Sequence, residues 1–355
     1  MKELNEFIKI SRYIGERFDL IQAGGGNVSV KNDNNMMIIK ASGVELCEVT
    51  PNYGYTKINY IDLLNFISDK QITGYSRNQD KVYTKIINKC NLMEKIRPSV
   101  EASLHTLFKK YTIHTHPILV NAICCRKNWE NIISKIDYSP YKFLCISYKT
   151  PGLELALEIK KQIKDIIPDI VFLQNHGLIV TSDDFSEIFK IQEFVLSRLE
   201  NYLNVDFSDY KLTNYISLNL SKYFNDDIVT ILSCDSLLNN TLKENEKLFY
   251  TKPFCPDMLV YGGIIPLKIK KDFDIELLQY KEIYKKYPRI IIYDNKIFFV
   301  AQNIYKAKQI QDVFKFHIMS LMLDLGEINY LSDDEIKYLD NWEIEKFRQK
   351  IGEKS

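Results

Sequence analysis

Between residues 98 and 203, runs of β-forming residues and stretches with apolar side chains at helical spacing follow one another closely. Any fold for this chain therefore has to seat helices and strands in alternation. Pro98-Ser99 opens a predicted helix over 98–110, with proline in the first turn, where its missing N–H costs nothing. Residues 111–116 form a short predicted strand halted by Pro117. A helix is expected over 152–167, a buried strand over 169–173, a tight turn at Asn175-His176-Gly177, a strand over 178–181 and a helix over 184–202. Upstream, Leu4, Phe7, Ile8, Ile10, Ile14 and Phe18 mark a helix over 2–18 that stops before Gly24-Gly25-Gly26. Strands over 27–31 and 36–41 flank a polar turn at 32–35. After residue 203 the pattern weakens. Residues 204–256 are polar and irregular, and strand and helix spacing then resumes, ending in a charged helix over 332–350.

A chain of 355 residues suits two domains, expected here at 1–215 and 216–355. The 47 basic and 46 acidic side chains leave a formal charge of +1 without any one-signed block. Nucleic-acid binding therefore lacks an electrostatic basis, and an anionic ligand has to be met by a local site. The N-terminus lacks the apolar core of a signal peptide, and no run nears the roughly 18 to 20 apolar residues of a membrane span, so no membrane partner is expected. Seven scattered cysteines without a CxxC pair indicate neither a disulfide framework nor a thiolate zinc site, and the expected compartment is the cytoplasm. The adjacent Cys124 and Cys125 read as core.

The five histidines are His105, His114, His116, His176 and His317. His114 and His116, two apart on a strand, project from one face with Cα atoms about 7 Å apart. His176 sits in a turn beside Gly177, which is read as letting the backbone turn sharply and aim the ring inward. Three neutral nitrogens with a fourth position open is how catalytic zinc is held. Alone, neither an HxH pair nor Asn-His-Gly is diagnostic. His105, four residues after Glu101, reads as support or core, and His317 as core or surface.

Their company is more specific. Gly24-Gly25-Gly26-Asn27-Val28-Ser29-Val30-Lys31 and Ile39-Lys40-Ala41-Ser42-Gly43 resemble the phosphate-loop segments of the class II, zinc-dependent aldolases. So do Arg97-Pro98-Ser99-Val100-Glu101, His114-Thr115-His116-Pro117, Pro151-Gly152-Leu153-Glu154-Leu155-Ala156 and Leu173-Gln174-Asn175-His176-Gly177, in family order over roughly residues 1–200. The GGGN-x-SVK form, Cys255-Pro256-Asp257 and Asn341-Trp342-Glu343-Ile344-Glu345 look closest to the aldolase half of bifunctional rhamnulose-phosphate aldolase/alcohol dehydrogenase proteins. No Gly-rich Rossmann turn of a dehydrogenase half follows in this sequence.

The resemblance implies a three-layer α/β/α sandwich around a mixed, mostly antiparallel sheet, with a smaller α/β region after it. It implies Zn2+ on His114, His116 and His176, Glu101 as acid and base, and a phosphate seat from Asn27, Ser42, Gly43 and Ser99. The glycine loop and a helix start near Ser99 offer backbone N–H groups to a dianion. Val100 departs from the second serine of many relatives. The implied substrate is a phosphorylated sugar, a ketose 1-phosphate cleaved to dihydroxyacetone phosphate and an aldehyde, and the implied assembly is a homo-oligomer. A tyrosine serves as second acid in related enzymes, and 23 tyrosines leave the choice open. Dehydration or epimerisation of a sugar phosphate on the same scaffold is the alternative chemistry. A metal-free adducin-like binding module is the alternative class.

A weak internal repeat aligns 178–194 with 297–313 without a gap, placing Asn295 opposite His176. A second copy built this way would lack the zinc ligands.

Overall fold

The computed structural model describes residues 2–69, 79–224, 228–323 and 325–341, and the chain divides into two compact units between Phe207 and Ser208. In the first unit, α1 (Lys2–Gly15) leads into β1 (Asn27–Lys31), β2 (Met36–Lys40), β3 (Tyr55–Asn59), α2 (Tyr60–Ser68), α3 (Gln79–Cys90), α4 (Ala102–Thr106) and β4 (Tyr111–Thr115). There follow α5 (Ile118–Cys124), α6 (Trp129–Ile133), β5 (Phe143–Ile146), α7 (Leu153–Gln162), β6 (Ile170–Leu173), β7 (Gly177–Ser182) and α8 (Phe185–Leu203). The strands form one sheet in the order β3-β2-β1-β4-β7-β6-β5, antiparallel except for the β5–β6 pair.

Side chains alternate across that sheet, and each set buries against its own helices. Val28, Val30, Ile113, Phe172 and Val180 pack with Phe7 and Ile10 of α1 and Ile188 and Ile191 of α8. On the other face Val171, Leu173 and Ile179 meet Leu104 of α4 and Leu155 and Ile159 of α7, while Met37 and Ile39 meet Leu63 of α2 and Ile87 of α3. This is the expected three-layer α/β/α sandwich with a mixed, mostly antiparallel sheet. Its second face also carries a buried polar stripe, Asn27 and Ser29 on β1 with Thr112 and His114 on β4.

Several local expectations change. The helix predicted over 98–110 is only α4, because 97–99 is drawn alongside β2: Ala41 bridges Pro98, and Ser42 N–H donates to the Arg97 carbonyl at 2.9 Å. Ser99 therefore does not stand at a helix start. Helix α7 ends at Gln162, five residues before the predicted end at 167. Cys124 is buried, but Cys125 is exposed on the last turn beyond α5.

The second unit contains α9 (Ser208–Tyr223), β8 (Val229–Leu232), α10 (Ser236–Glu244), β9 (Leu267–Ile269), α11 (Phe273–Tyr284), β10 (Ile290–Tyr293), β11 (Lys296–Ala301), α12 (Ile304–Met322) and α13 (Asp333–Asn341). Residue 215 lies inside α9, within the stretch read as irregular. The helix buries a narrow Ile216–Leu220 seam, easily lost among its polar residues. The predicted helix over 332–350 is described as far as α13, and Trp342, Glu343, Ile344 and Glu345 lie outside the described residues.

The second sheet runs β8-β11-β10-β9, with β8–β11 and β11–β10 antiparallel and β10–β9 parallel. That is the order and sense of β4-β7-β6-β5 in the first unit. Strands β7 and β11 are six residues each and helices α8 and α12 nineteen each, all at one constant sequence offset. The helix caps correspond as well. Asp184 accepts from the N–H of Ser186 and Glu187, and Asn303 accepts from the N–H of Lys306. Such a cap contributes about 1 kcal/mol to its helix. Among the described residues, no helix is long and apolar enough to cross a membrane.

Candidate metal centre

The three histidines converge. His114 lies on β4, His116 one residue past its end, and His176 in the turn between β6 and β7. The pairing Thr115 with Leu178 and Leu173 with Gly177 brings that turn beside the end of β4. His114 Nε2 lies 3.2 Å from His116 Nε2 and 3.2 Å from His176 Nε2, and the candidate ligand atoms of the three all fall within 4.8 Å of one another. An ion bound tetrahedrally at about 2.0–2.1 Å separates two ligand nitrogens by about 3.3 Å. The observed spacing fits a divalent metal.

Protonation points the same way. His114 Nδ1 stands 3.0 Å from the Leu178 carbonyl, a contact that only Nδ1–H can satisfy. The tautomer is thereby set, and the Nε2 lone pair faces the other two rings. Burial, reinforced by His116, lowers the His114 pKa to about 3. Burial and then His114 lower His176 to about 3, and burial lowers His116 as well. The imidazoles are neutral at physiological pH, as metal ligands must be.

Glu101 stands just before the short α4, makes no side-chain cap there, and reaches this centre. Its Oε1 is 3.3 Å from His176 Nε2, and its Oε2 is 3.7 Å from His114 Nε2 and accepts from Asn27 Nδ2 at 2.6 Å. Oε1 is buried and has no hydrogen-bond partner, a costly state unless a ligand meets it. Burial raises the carboxyl pKa, against the lowering pull of His176, His116, the Asn27 amide and Lys40.

Of the four residues read as a phosphate seat, Asn27 is buried with its amide committed to Glu101. The Ala41–Pro98 bridge brings exposed Ser42 and Gly43 next to the segment carrying Ser99. Ser99 Oγ accepts from Glu101 N–H at 3.2 Å. Gly43 has φ 82°, and open space surrounds the place a side chain would occupy. His105 is buried against Ser29 Oγ at 2.7 Å, and His317 is buried in the second unit, stacked on Phe254.

Gly177 serves a purpose other than the one read from sequence. Asn175, not Gly177, takes the left-handed turn conformation, at φ 52°. Gly177 is required by close approach: a Cβ there would lie 2.1 Å from the Thr115 carbonyl oxygen and 3.0 Å from His116 Cδ2. Likewise a Cβ on Gly25 would meet His116 Nδ1 at 3.0 Å, and one on Gly26 the His114 carbonyl at 2.7 Å. We expect Gly177→Ala to lower stability by about 1–3 kcal/mol, as overpacking does, and to weaken metal binding. Thermal unfolding and chelator competition test this, and unchanged values in both would show that the strand pair yields freely. Sequence reading missed Lys40, whose buried Nζ donates to the carbonyls of Gly24 at 3.0 Å and Val44 at 2.6 Å. A lysine inside an apolar strand was the available signal.

Residues 5–203 match the family described as Class II Aldolase and Adducin N-terminal domain, and the chain belongs to that family. As a member of that family it is an enzyme of the lyase class. A curated relative, L-fuculose phosphate aldolase of Methanococcus maripaludis, is 25% identical over 190 residues, covering 53% of this chain and 88% of the relative. Among solved structures, the N-terminal class II aldolase domain of a conserved protein from Thermoplasma acidophilum is 26% identical with a TM-score of 0.49, covering 57% of this chain and 93% of that one. A sugar-phosphate aldolase from Thermotoga maritima is 15% identical with a TM-score of 0.42, covering 57% and 94%.

Proposed function

We propose that this chain is a zinc-dependent aldolase that cleaves a ketose 1-phosphate to dihydroxyacetone phosphate and an aldehyde. The observation that carries the reading is the convergence of three neutral imidazoles, His114 Nε2 lying 3.2 Å from both His116 Nε2 and His176 Nε2, with the unpartnered Glu101 Oε1 beside them. His114, His116 and His176 would hold the ion, which supplies Lewis acidity to the substrate's carbonyl and neighbouring hydroxyl oxygens. Glu101 handles the proton at carbon. In condensation its carboxylate takes a proton from the hydroxymethyl carbon of dihydroxyacetone phosphate, and in cleavage it returns that proton. A carboxyl pushed upward by burial suits both directions. Asn27 donates to the other oxygen and keeps Oε1 facing the site.

Ser42, Gly43, Ser99 and Asn27 form the proposed phosphate seat. Inorganic phosphate should compete with substrate, and Ser42→Ala should raise its inhibition constant severalfold. An unphosphorylated ketose cleaved as fast as its phosphate ester would exclude the seat. The reading as a whole is tested by incubating zinc-loaded protein with dihydroxyacetone phosphate and a panel of aldehydes. A new ketose 1-phosphate supports it; no condensation with any aldehyde, with dehydration or epimerisation of a sugar phosphate supplied in place of the two, overturns it. The proposal includes a homo-oligomer working in the cytoplasm, a reducing compartment that suits seven free cysteines.

The second unit is proposed to be a degenerate copy of the metal-bearing half of the first. The matching strand order, equal element lengths and shared caps support this. Ser233 N–H donates to the Ile297 carbonyl, so Ser233 stands where Thr115 does. The three ligand positions then fall on Leu232, Cys234 and Asn295. One metal ion per chain is expected.

A further inference from the structure

Strand β4 ends at Thr115, so sheet pairing does not hold the backbone of His116. A loop does. His116 N–H donates to the Leu20 carbonyl at 2.9 Å, and Ile118 N–H donates to the Asp19 carbonyl at 2.9 Å. This loop, between α1 and β1, belongs to neither helix nor strand and needs its own support. It comes from one buried guanidinium. Arg17 Nε and Nη2 donate to the two carboxylate oxygens of Asp19 at 2.7 and 2.6 Å, a fork-to-fork pair with both side chains at most 4% exposed. Arg17 Nη1 donates to Glu193 Oε1 on α8 at 2.9 Å, and the Tyr13 hydroxyl donates to the same oxygen at 2.6 Å. The Leu20 and Ile21 N–H groups return to the Arg17 carbonyl at 2.9 and 3.0 Å. The same loop continues to Gly25, against which the His116 ring rests.

Arg17 thus ties together α1, the loop that fixes His116, and the helix that follows the His176 turn and strand β7. We propose that Arg17, with Asp19 and Glu193, is a positioning residue for His116. It sets the backbone on which that ring is mounted, without touching the metal or the substrate. The inference rests on the reading that the three histidines hold a divalent metal. Outer partners that orient a metal ligand typically change metal affinity by roughly 10- to 100-fold when lost. Lysine keeps the charge of Arg17 but not the planar fork, so it separates geometry from electrostatics.

The test uses the full chain, zinc alone and a competing chelator. Ile188→Val serves as control, trimming one methyl from the same core on α8 away from the loop. Arg17→Lys should weaken zinc binding by roughly 10- to 100-fold and alter the visible spectrum of the cobalt-substituted protein. Ile188→Val should leave both as in wild type. Asp19→Asn is the second variant, for use where Arg17→Lys does not fold, and should shift both readouts in the same direction. Wild-type zinc affinity and cobalt spectrum in whichever of these two variants folds overturn the inference. Equal changes in Ile188→Val also overturn it, since they would be general loosening. A wild-type chain that binds no zinc overturns the metal reading itself, a result distinct from both.

Discussion

Replacing His116 and His176 together with alanine is expected to leave the purified chain without zinc and without aldolase turnover. The remaining His114 contributes one nitrogen, and one nitrogen does not hold a divalent ion against water or a chelator. The fold should survive. His176 sits in a turn and His116 beyond the end of β4, so neither ring belongs to the strand pairing that builds the sheet. Both substitutions also remove imidazoles that burial forces to stay neutral, His176 with its pKa lowered to about 3. The sign of that effect is definite. A histidine whose folded pKa lies below its unfolded value of about 6.5 costs stability as pH falls beneath 6.5, because only the unfolded chain takes up the proton. The double variant should therefore lose less stability between neutral pH and mild acid than the metal-free wild type loses. Metal analysis and acid unfolding of the two metal-free proteins check both halves. Full zinc occupancy in the double variant would refute the ligand assignment.

Much of the centre was legible because it obeys short-range rules. Two histidines two apart on a strand share a face, and a strand, turn, strand and capped helix over 170–203 follow from local residues. What escaped notice depends on distant partners. Arg17 falls at the end of the helix expected over 2–18 and Asp19 just beyond it, and neither shows a role until the fold brings up Glu193, 176 residues from Arg17. The helix expected from Pro98 yielded to pairing with Ala41, where tertiary bonds outweighed a proline's start signal. Gly177 was read for its freedom, whereas its need is the absence of a Cβ beneath the Thr115 carbonyl. In each case the sequence shows the residue type, and only the neighbour explains it. The polar stripe of β1 and β4 lies between these extremes. Alternation marks Asn27 and Ser29 as sharing a face, but their burial against Glu101 and His105 emerges only once the strands pair.

Glu101→Gln should keep the metal and lose the chemistry. The amide has nearly the shape of the carboxyl, and its oxygen can accept from Asn27 Nδ2 as Glu101 Oε2 does. Its NH2 then occupies the place of Oε1, 3.3 Å from His176 Nε2, where it can no longer take a proton from carbon. All three histidines remain, so zinc content should be unchanged. Turnover should fall on the order of 10² or more, the usual scale for loss of a general acid or base. The wild type should also show a pH dependence that the variant lacks. Burial holds the carboxyl above the ordinary carboxylate range, and condensation requires the ionised form. The condensation rate should therefore fall as pH drops and the carboxyl is protonated, a step that Glu101→Gln lacks. Glu101→Asp, which keeps the charge but withdraws it by one methylene, should lie between the two. Turnover of Glu101→Gln within twofold of wild type, with zinc retained, would remove Glu101 from the proton transfer. The base would then have to be sought elsewhere in the site.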